Sequence, residues 1–467
     1  MNALARSGVA LACGRIALSG ARMLAALIVA RLSGATDFGA YALLLSLVGL
    51  CEWLVDFGQT DIAVRDMARR PRRRARLLAA LARAKRVQGP IVAIGLPSAL
   101  WATGRDGGMV IAGCAGGGAV LAVAWLQPAR AVLRADLRMD REVGAELAGA
   151  AVMLPVLLLA CLMHGPLWSL LASGAAGRVV QALLTRHWAS LPAVRRDARV
   201  GSAGLAARAA PLGMAGLMVL LYDALAPPLL AALADLRAVA LYAAAARFVF
   251  PGLIAVQAIG TAYFPLLARA WPHDREALAR VQQQALLVSL AVSAPMFAGL
   301  HGGAAFLMRL PGPAFAQGAG LLQIMAWLLL ARAVTTAMSP LILVARRQGQ
   351  GMALTAVSLA AQIGALLLLV PRFGVMGAGI GYLAVELLFG TMAVSLMAQR
   401  AAGIVLDWRP AAASIGAAAA AALLVDRTPL AGQWSGGALA MLLSGVAIAL
   451  LLRGRRHASS GLTERPA

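Results

Sequence analysis

SGVALACGRIALSGARMLAALIVAR, residues 7–31, is long enough to cross a bilayer as one helix, for which about 20 residues suffice. Yet Arg15 and Arg22 stand inside it. Seven residues make two helical turns, so both side chains leave the same face, roughly 10 Å apart along the axis. On insertion scales each costs about 3 kcal/mol at the bilayer centre. Their face must therefore look onto water or onto partners, and a cationic stripe inside a membrane helix suits an anionic cargo. The alternative is a structural pairing with buried acids such as Asp223 or Glu386.

The rest of the chain has the same character. Of its 467 residues 61% are hydrophobic and 13% charged, and the mean hydropathy is +0.80. Apolar runs of membrane-spanning length recur from end to end, without the short alternating segments of a membrane β-barrel. The sequence therefore predicts an all-α polytopic membrane protein. Fourteen spans are expected: 7–31, 38–58, 87–104, 109–131, 145–163, 166–186, 209–232, 239–264, 282–301, 318–344, 351–370, 377–399, 410–425 and 435–452. The first span is too long and too charged for a cleavable signal peptide, and a second follows at once.

A net charge of +23 in a soluble protein would point to nucleic acid. Here the basic residues cluster in alternate loops, and no basic–aromatic module accompanies them, so no nucleic-acid partner is expected. DIAVRDMARRPRRRARLLAALARAKR (61–86) holds ten basic residues, including Lys85, the only lysine. Arg134, Arg195, Arg269, Arg346, Arg400 and Arg453 mark the loops after spans four, six, eight, ten, twelve and fourteen. By the positive-inside rule those loops and both termini face the cytoplasm of a bacterial inner membrane.

Two stretches resemble each other at an offset of about 200 residues: SGATDFGAYALLLSLVGL (33–50) and ALADLRAVALYAAAARFVF (232–250). Spans one to six then correspond to spans seven to twelve. That predicts two pseudo-symmetric six-helix bundles, 1–205 and 206–400, followed by two extra helices and a tail, 401–467. Parallel repeats of this kind place a transport site near mid-membrane between the halves.

Other intramembrane charges are few. Asp223 stands four residues before Pro227-Pro228, where the helix should break, and suits a coupling or gating role. Glu386 suits the same role, Arg332 a place in the cavity wall, and Arg247 a structural tie. Arg178, Glu52 and Asp56 lie near enough to the interface to snorkel. Gly113-x-x-x-Gly117 and Gly377-x-x-x-Gly381 fit close helix packing. Cys13, Cys51, Cys114 and Cys161 lie in apolar runs and read as packing residues. No metal-ligand spacing, nucleotide loop or nucleophile–base set is present, so neither a cofactor nor enzymatic activity is expected.

Four stretches, SGATDFGAYALLLSLVGL (33–50), LRAVALYAAAARF (236–248), PGPAFAQGAGLLQIMAW (311–327) and VPRFGVMGAGIGY (370–382), resemble signature regions of the polysaccharide-export flippases. These are the O-antigen-type lipid-linked oligosaccharide flippases of the multidrug/oligosaccharidyl-lipid/polysaccharide (MOP) superfamily. The resemblance covers roughly residues 1–400. It implies alternating access, transport of undecaprenyl-diphosphate-linked glycan, and a cationic cavity to which Arg15, Arg22 and Arg332 would contribute. Polymerase and export proteins are partners that it implies. The departure is the seventh span, which reads YDALAPP. A multidrug cation exporter and a peptidoglycan-precursor flippase of the same superfamily are the rival readings. A membrane glycan polymerase is disfavoured because the longest outer loop, around 302–317, has Arg309 as its single charge.

Overall fold

A long apolar run in lipid must satisfy its own backbone hydrogen bonds, and the helix is how a single segment does so. The structure, a computed structural model, describes the backbone of residues 3–189 and 202–460 and the side chains of residues 14–189 and 204–451. Arg195, Arg196 and Arg199, and the side chains of Cys13 and Arg453, lie outside the described residues. The described chain is helical throughout, with no strand. Its elements are α1 (Ala3–Asp56), α2 (Gln59–Arg69), α3 (Arg74–Ala102), α4 (Gly107–Ala135), α5 (Met139–Leu162), α6 (Leu167–Trp188), α7 (Ser202–Ala224) and α8 (Ala226–Leu233). There follow α9 (Leu236–Ala270), α10 (Arg275–Gly302), α11 (Ala304–Arg309), α12 (Ala319–Val344), α13 (Gln348–Val385), a π-helical stretch (Glu386–Ala393), α14 (Val394–Ala402), α15 (Arg409–Asp426) and α16 (Trp434–Ser460).

Among the described residues eleven helical segments are long and apolar enough to cross a membrane. Two of them, Gly14–Arg69 and Gln348–Ala402, each contain two of the expected spans. α3, whose first turns are arginine-rich, covers most of the third expected span, 87–104, but is not among the eleven. The fusions have a specific cause. α1 bends at Gly34 (φ 86°, ψ 173°) and α13 at Gly374 (φ 56°, ψ −137°). Both conformations are open to glycine without the Cβ penalty that other residues meet. The expected break before Pro227-Pro228 falls at Leu225, between α7 and α8, with both prolines in the first turn of α8. There a missing N–H costs no helical bond. The outer loop around 302–317 is not irregular: it holds α11 and a 3₁₀ turn, Pro313–Gly318.

The chain forms two compact units, Met1–Ala240 and Leu241–Ala467. In the first, α4 packs between α3 and α6, and α5 closes on α6 and α1. The Gly113–Gly117 pair makes the α3–α4 approach possible. A Cβ at Gly117 would lie 2.5 Å from the Ala93 carbonyl oxygen, and one at Gly113 2.7 Å from Leu100. In the second unit α10 packs on α12, α15 and α16. α16 meets α10 through facing glycines: a Cβ on Gly437 would stand 2.9 Å from the Gly299 carbonyl oxygen.

One end of the first unit is sewn together by charge. Arg178 pairs with Glu52 at 3.0 Å and donates to Gln181, which donates to Glu146. Glu146 pairs with Arg130 at 3.0 Å, Arg130 with Glu142 at 3.0 Å, Glu142 with Arg134 at 2.8 Å and Arg134 with Asp61 at 3.4 Å. The seam joins the end of α1, α2, the end of α4, the start of α5 and α6. In this unit the arginine-rich segments after the second and fourth spans thus meet at one end.

Lys85 belongs to this end, just before the span that starts at 87. It is 3% exposed. Its Nζ donates to the carbonyl oxygens of Val55 (2.5 Å) and Asp56 (3.2 Å) and to Gln59 Oε1 (3.1 Å). Two of these acceptors are carbonyls of the last turn of α1, which have no helical donor. Three acceptors around one point suit a compact ammonium better than a planar fork. Burial holds the ammonium down to about 8, while Asp56 pulls the other way. An unfolded lysine keeps its proton to about 10.4. Below pH 8 Lys85 is charged in both states and its desolvation weighs fully on the fold. As pH rises from about 8 to about 10.4 the unfolded chain holds the extra proton and the fold gains stability. We expect the melting temperature of Lys85→Met to lose the rise that wild type shows across this interval. In the native protein an amine-reactive reagent should acylate no lysine until the chain unfolds.

Candidate functional site

In the first unit the first half of α1 buries Gly14, Leu18, Ala25, Ala26, Val29 and Ala30. Gly14 lies against Val143 of α5, with no room for a side chain. Arg15 and Arg22 leave the helix elsewhere and are exposed. The seven-residue spacing keeps them on one face. Neither makes a hydrogen bond or an ion pair with any described residue. Within this unit the pairing of Arg22 with Asp223, one form of the structural alternative, is therefore not formed.

Asp223 is half-buried in the last turn of α7, two residues before the break at Leu225. It carries interactions of its own. Arg247, on α9, is likewise engaged and half-buried. Arg178 and Glu52, expected near the interface, are partly exposed and pair with each other.

The second unit holds a buried polar cluster. Arg332 of α12 reaches Glu386 at the start of the π-helical stretch, with Nε 3.0 Å from Oε2. Arg332 also donates to the Tyr382 hydroxyl at 2.7 Å, its guanidinium 5.8 Å from the centre of that ring. Thr335 donates to Glu386 Oε1 at 2.7 Å. Glu386 is 2% exposed. Gly390 makes the pocket: a Cβ there would strike the Glu386 carboxylate. Thr391 ties the same turn to the Ala331 carbonyl oxygen at 3.2 Å. A π-helix shifts the register by one residue and often marks a functional site. Here it lets Glu386, Gly390 and Thr391 crowd onto α12.

Thus Arg332 and Glu386 are brought together, and Arg332 is committed to a carboxylate. Tyr382 and Thr335 complete the cluster and went unread in the sequence. Their spacing is a usable signal: Tyr382 and Glu386 are four residues apart, Arg332 and Thr335 three, so each pair shares a helix face. The π-helical stretch has no local signature.

The chain superimposes on "Lipid II flippase MurJ, inward closed conformation" with a TM-score of 0.81, 9% identity, and coverage of 95% of this chain and 98% of that one. An inward-facing multidrug resistance MATE family transporter of the MOP superfamily matches with a TM-score of 0.69 at 14% identity, over 83% and 94% of the two chains. A MOP superfamily transporter from Pyrococcus furiosus, described as having a binding pocket of reverse polarity, matches with a TM-score of 0.62 at 14% identity, over 85% and 95%. The chain has the MOP transporter fold. Identities this low carry the fold and nothing finer. No protein-family model matches the sequence, and no curated protein does.

Breaking a buried ion pair by removing one partner typically costs about 3–5 kcal/mol, whereas replacing both by apolar residues is often near neutral. Glu386→Leu and Arg332→Met, taken singly, should each lower the melting temperature of the purified protein sharply. The double substitution should recover a good part of that loss. Additive losses in this cycle would show that the pair is not coupled.

Proposed function

We propose that this chain is a flippase that moves undecaprenyl-diphosphate-linked oligosaccharide from the cytoplasmic to the periplasmic leaflet of the bacterial inner membrane, for polysaccharide export. The carrying observation is that Arg15 and Arg22 are exposed on one face of α1 with no described partner. The other charged clusters described above are internally satisfied. Two guanidinia without a described partner in a membrane span are costly, and each offers a bidentate fork that matches phosphate oxygens. The head group would bind there while the prenyl tail stays in lipid. The halves 1–205 and 206–400 would alternate access, with Asp223 beside the helix break and the Arg332–Glu386 pair as gating elements. The protein then acts as a transporter rather than an enzyme. The cytoplasmic termini, and association with polymerase and export proteins, belong to the same proposal.

The drive follows from the charge of the cargo. A cell interior is electrically negative, so an anionic head group moves outward downhill, by about 2.3 kcal/mol per charge per 100 mV. A sequence without a nucleotide loop fits a gradient or potential as the source.

A peptidoglycan-precursor flippase is the second reading. It is favoured by the TM-score of 0.81 to the lipid II flippase across 95% of the chain. Both cargoes share the diphosphate and differ in the sugar. A multidrug cation exporter gains nothing from unpaired arginines, which repel cations.

The test is lipid analysis of a strain lacking the protein, complemented with variants. We expect undecaprenyl-diphosphate glycan to accumulate on the cytoplasmic leaflet, with rescue by wild type. Arg15→Glu/Arg22→Glu should reduce rescue by at least about tenfold, since two charge-assisted contacts become repulsions. Arg15→Lys/Arg22→Lys should keep part of it. Full rescue by the charge-reversed variant would overturn the site. Drug sensitivity without lipid accumulation would overturn the cargo.

A further inference from the structure

The outer face of the first unit carries a second cationic feature, separate from Arg15 and Arg22. α4 turns an apolar stripe outward: Ile111, Cys114, Leu121 and Trp125 are all exposed. Val87 and Ile91 on α3 and Val179 and Leu183 on α6 are exposed as well. At the arginine-rich end of these apolar flanks stand Arg86 and Arg186. The Arg186 guanidinium lies 4.4 Å from the centre of the Trp125 ring, and its Nη1 donates to the Trp125 carbonyl oxygen at 3.1 Å. The neighbouring charge that acts on it is another cation, Arg86.

The helix packing explains that proximity. A Cβ on Gly89 would lie 2.8 Å from Ala124 Cβ, so α3 and α4 touch at that level. They follow each other through a short turn and run antiparallel. Arg86, one turn before Gly89, is therefore level with Trp125, one residue after Ala124. Arg86 is exposed and makes no hydrogen bond or ion pair with a described residue.

Two mutually repelling guanidinia with no acid between them among the described residues are stable when an anion joins them. Trp125 is the amphipathic ring expected at headgroup depth, and the exposed apolar side chains next to it are what an acyl chain would cover. We propose that Arg86, Arg186 and Trp125 bind the phosphate head group of an anionic phospholipid. Basic pockets between membrane helices are suited to that class of ligand. Arg186, held on the indole face, is pre-oriented, and exposed Arg86 closes on the phosphate from α3. This reading does not depend on what the protein transports.

The experiment is native mass spectrometry of the full chain, released from detergent with phosphatidylglycerol or with phosphatidylcholine of the same acyl chains. Wild type should retain a phosphatidylglycerol that Arg86→Gln/Arg186→Gln holds poorly, with apparent affinity roughly thirtyfold lower in the variant, as two lost surface cations predict. Arg86→Lys/Arg186→Lys should keep most of the retention. Arg69→Gln/Arg70→Gln, in the other basic cluster, should leave this lipid in place. Should the double variant fail to fold, Arg86→Gln alone, which removes an exposed side chain without contacts, should still weaken retention several-fold. Equal retention by wild type and variant overturns the site. Equal retention of phosphatidylcholine, or displacement by inorganic phosphate at matched ionic strength, overturns the lipid as its occupant.

Discussion

A guanidinium cannot shed its proton, so an arginine inside an apolar span must meet an anion, a polar partner or water. That constraint orders most of this structure. Arg178 meets Glu52, Arg130 meets Glu146, and Arg332 meets Glu386. Each pair joins different helices, so the charges that would oppose insertion become the ties between spans. Buried ties of this kind add little net stability, but they penalise any arrangement that separates the partners. Arg15 and Arg22 stand apart because α1 presents them with no acid partner among the described residues.

The choice of cation follows geometry. Of 42 basic residues one is lysine, and it is the one that sits among three acceptors at the frayed end of α1. Arginine serves elsewhere, where a planar fork meets a carboxylate in two places, as Arg134 meets Glu142, or sits over a ring, as Arg186 does over Trp125. The same fork is what a phosphate would find at Arg15 and Arg22.

Backbone irregularities sit where the spans must change direction or crowd. Gly34 and Gly374 bend long helices without ending them. Leu225 breaks a helix two residues after Asp223. The π-helical stretch moves Glu386 onto α12. Each of these four features neighbours a charged residue that the proposed transport cycle uses or a span that carries one. This fits an architecture in which local helix defects supply the freedom that close glycine-mediated packing removes elsewhere.

The all-helical, many-span character and the order of the helices were legible in the sequence, because the length of an apolar run is a local property with a direct physical meaning. So were the glycine contacts at 113–117 and the break ahead of Pro227-Pro228, since a missing side chain or a missing N–H acts where it stands. The stripe of Arg15 and Arg22 could be read from the period of the helix alone. Whether those arginines were paired could not. Arg332 and Tyr382 lie 50 residues apart, and the seam that runs from Glu52 to Asp61 passes through five helices. Which acid meets which cation depends on how each helix is rotated and shifted against its neighbours. That rotation is set by the summed packing of many weak contacts, and no single residue records it.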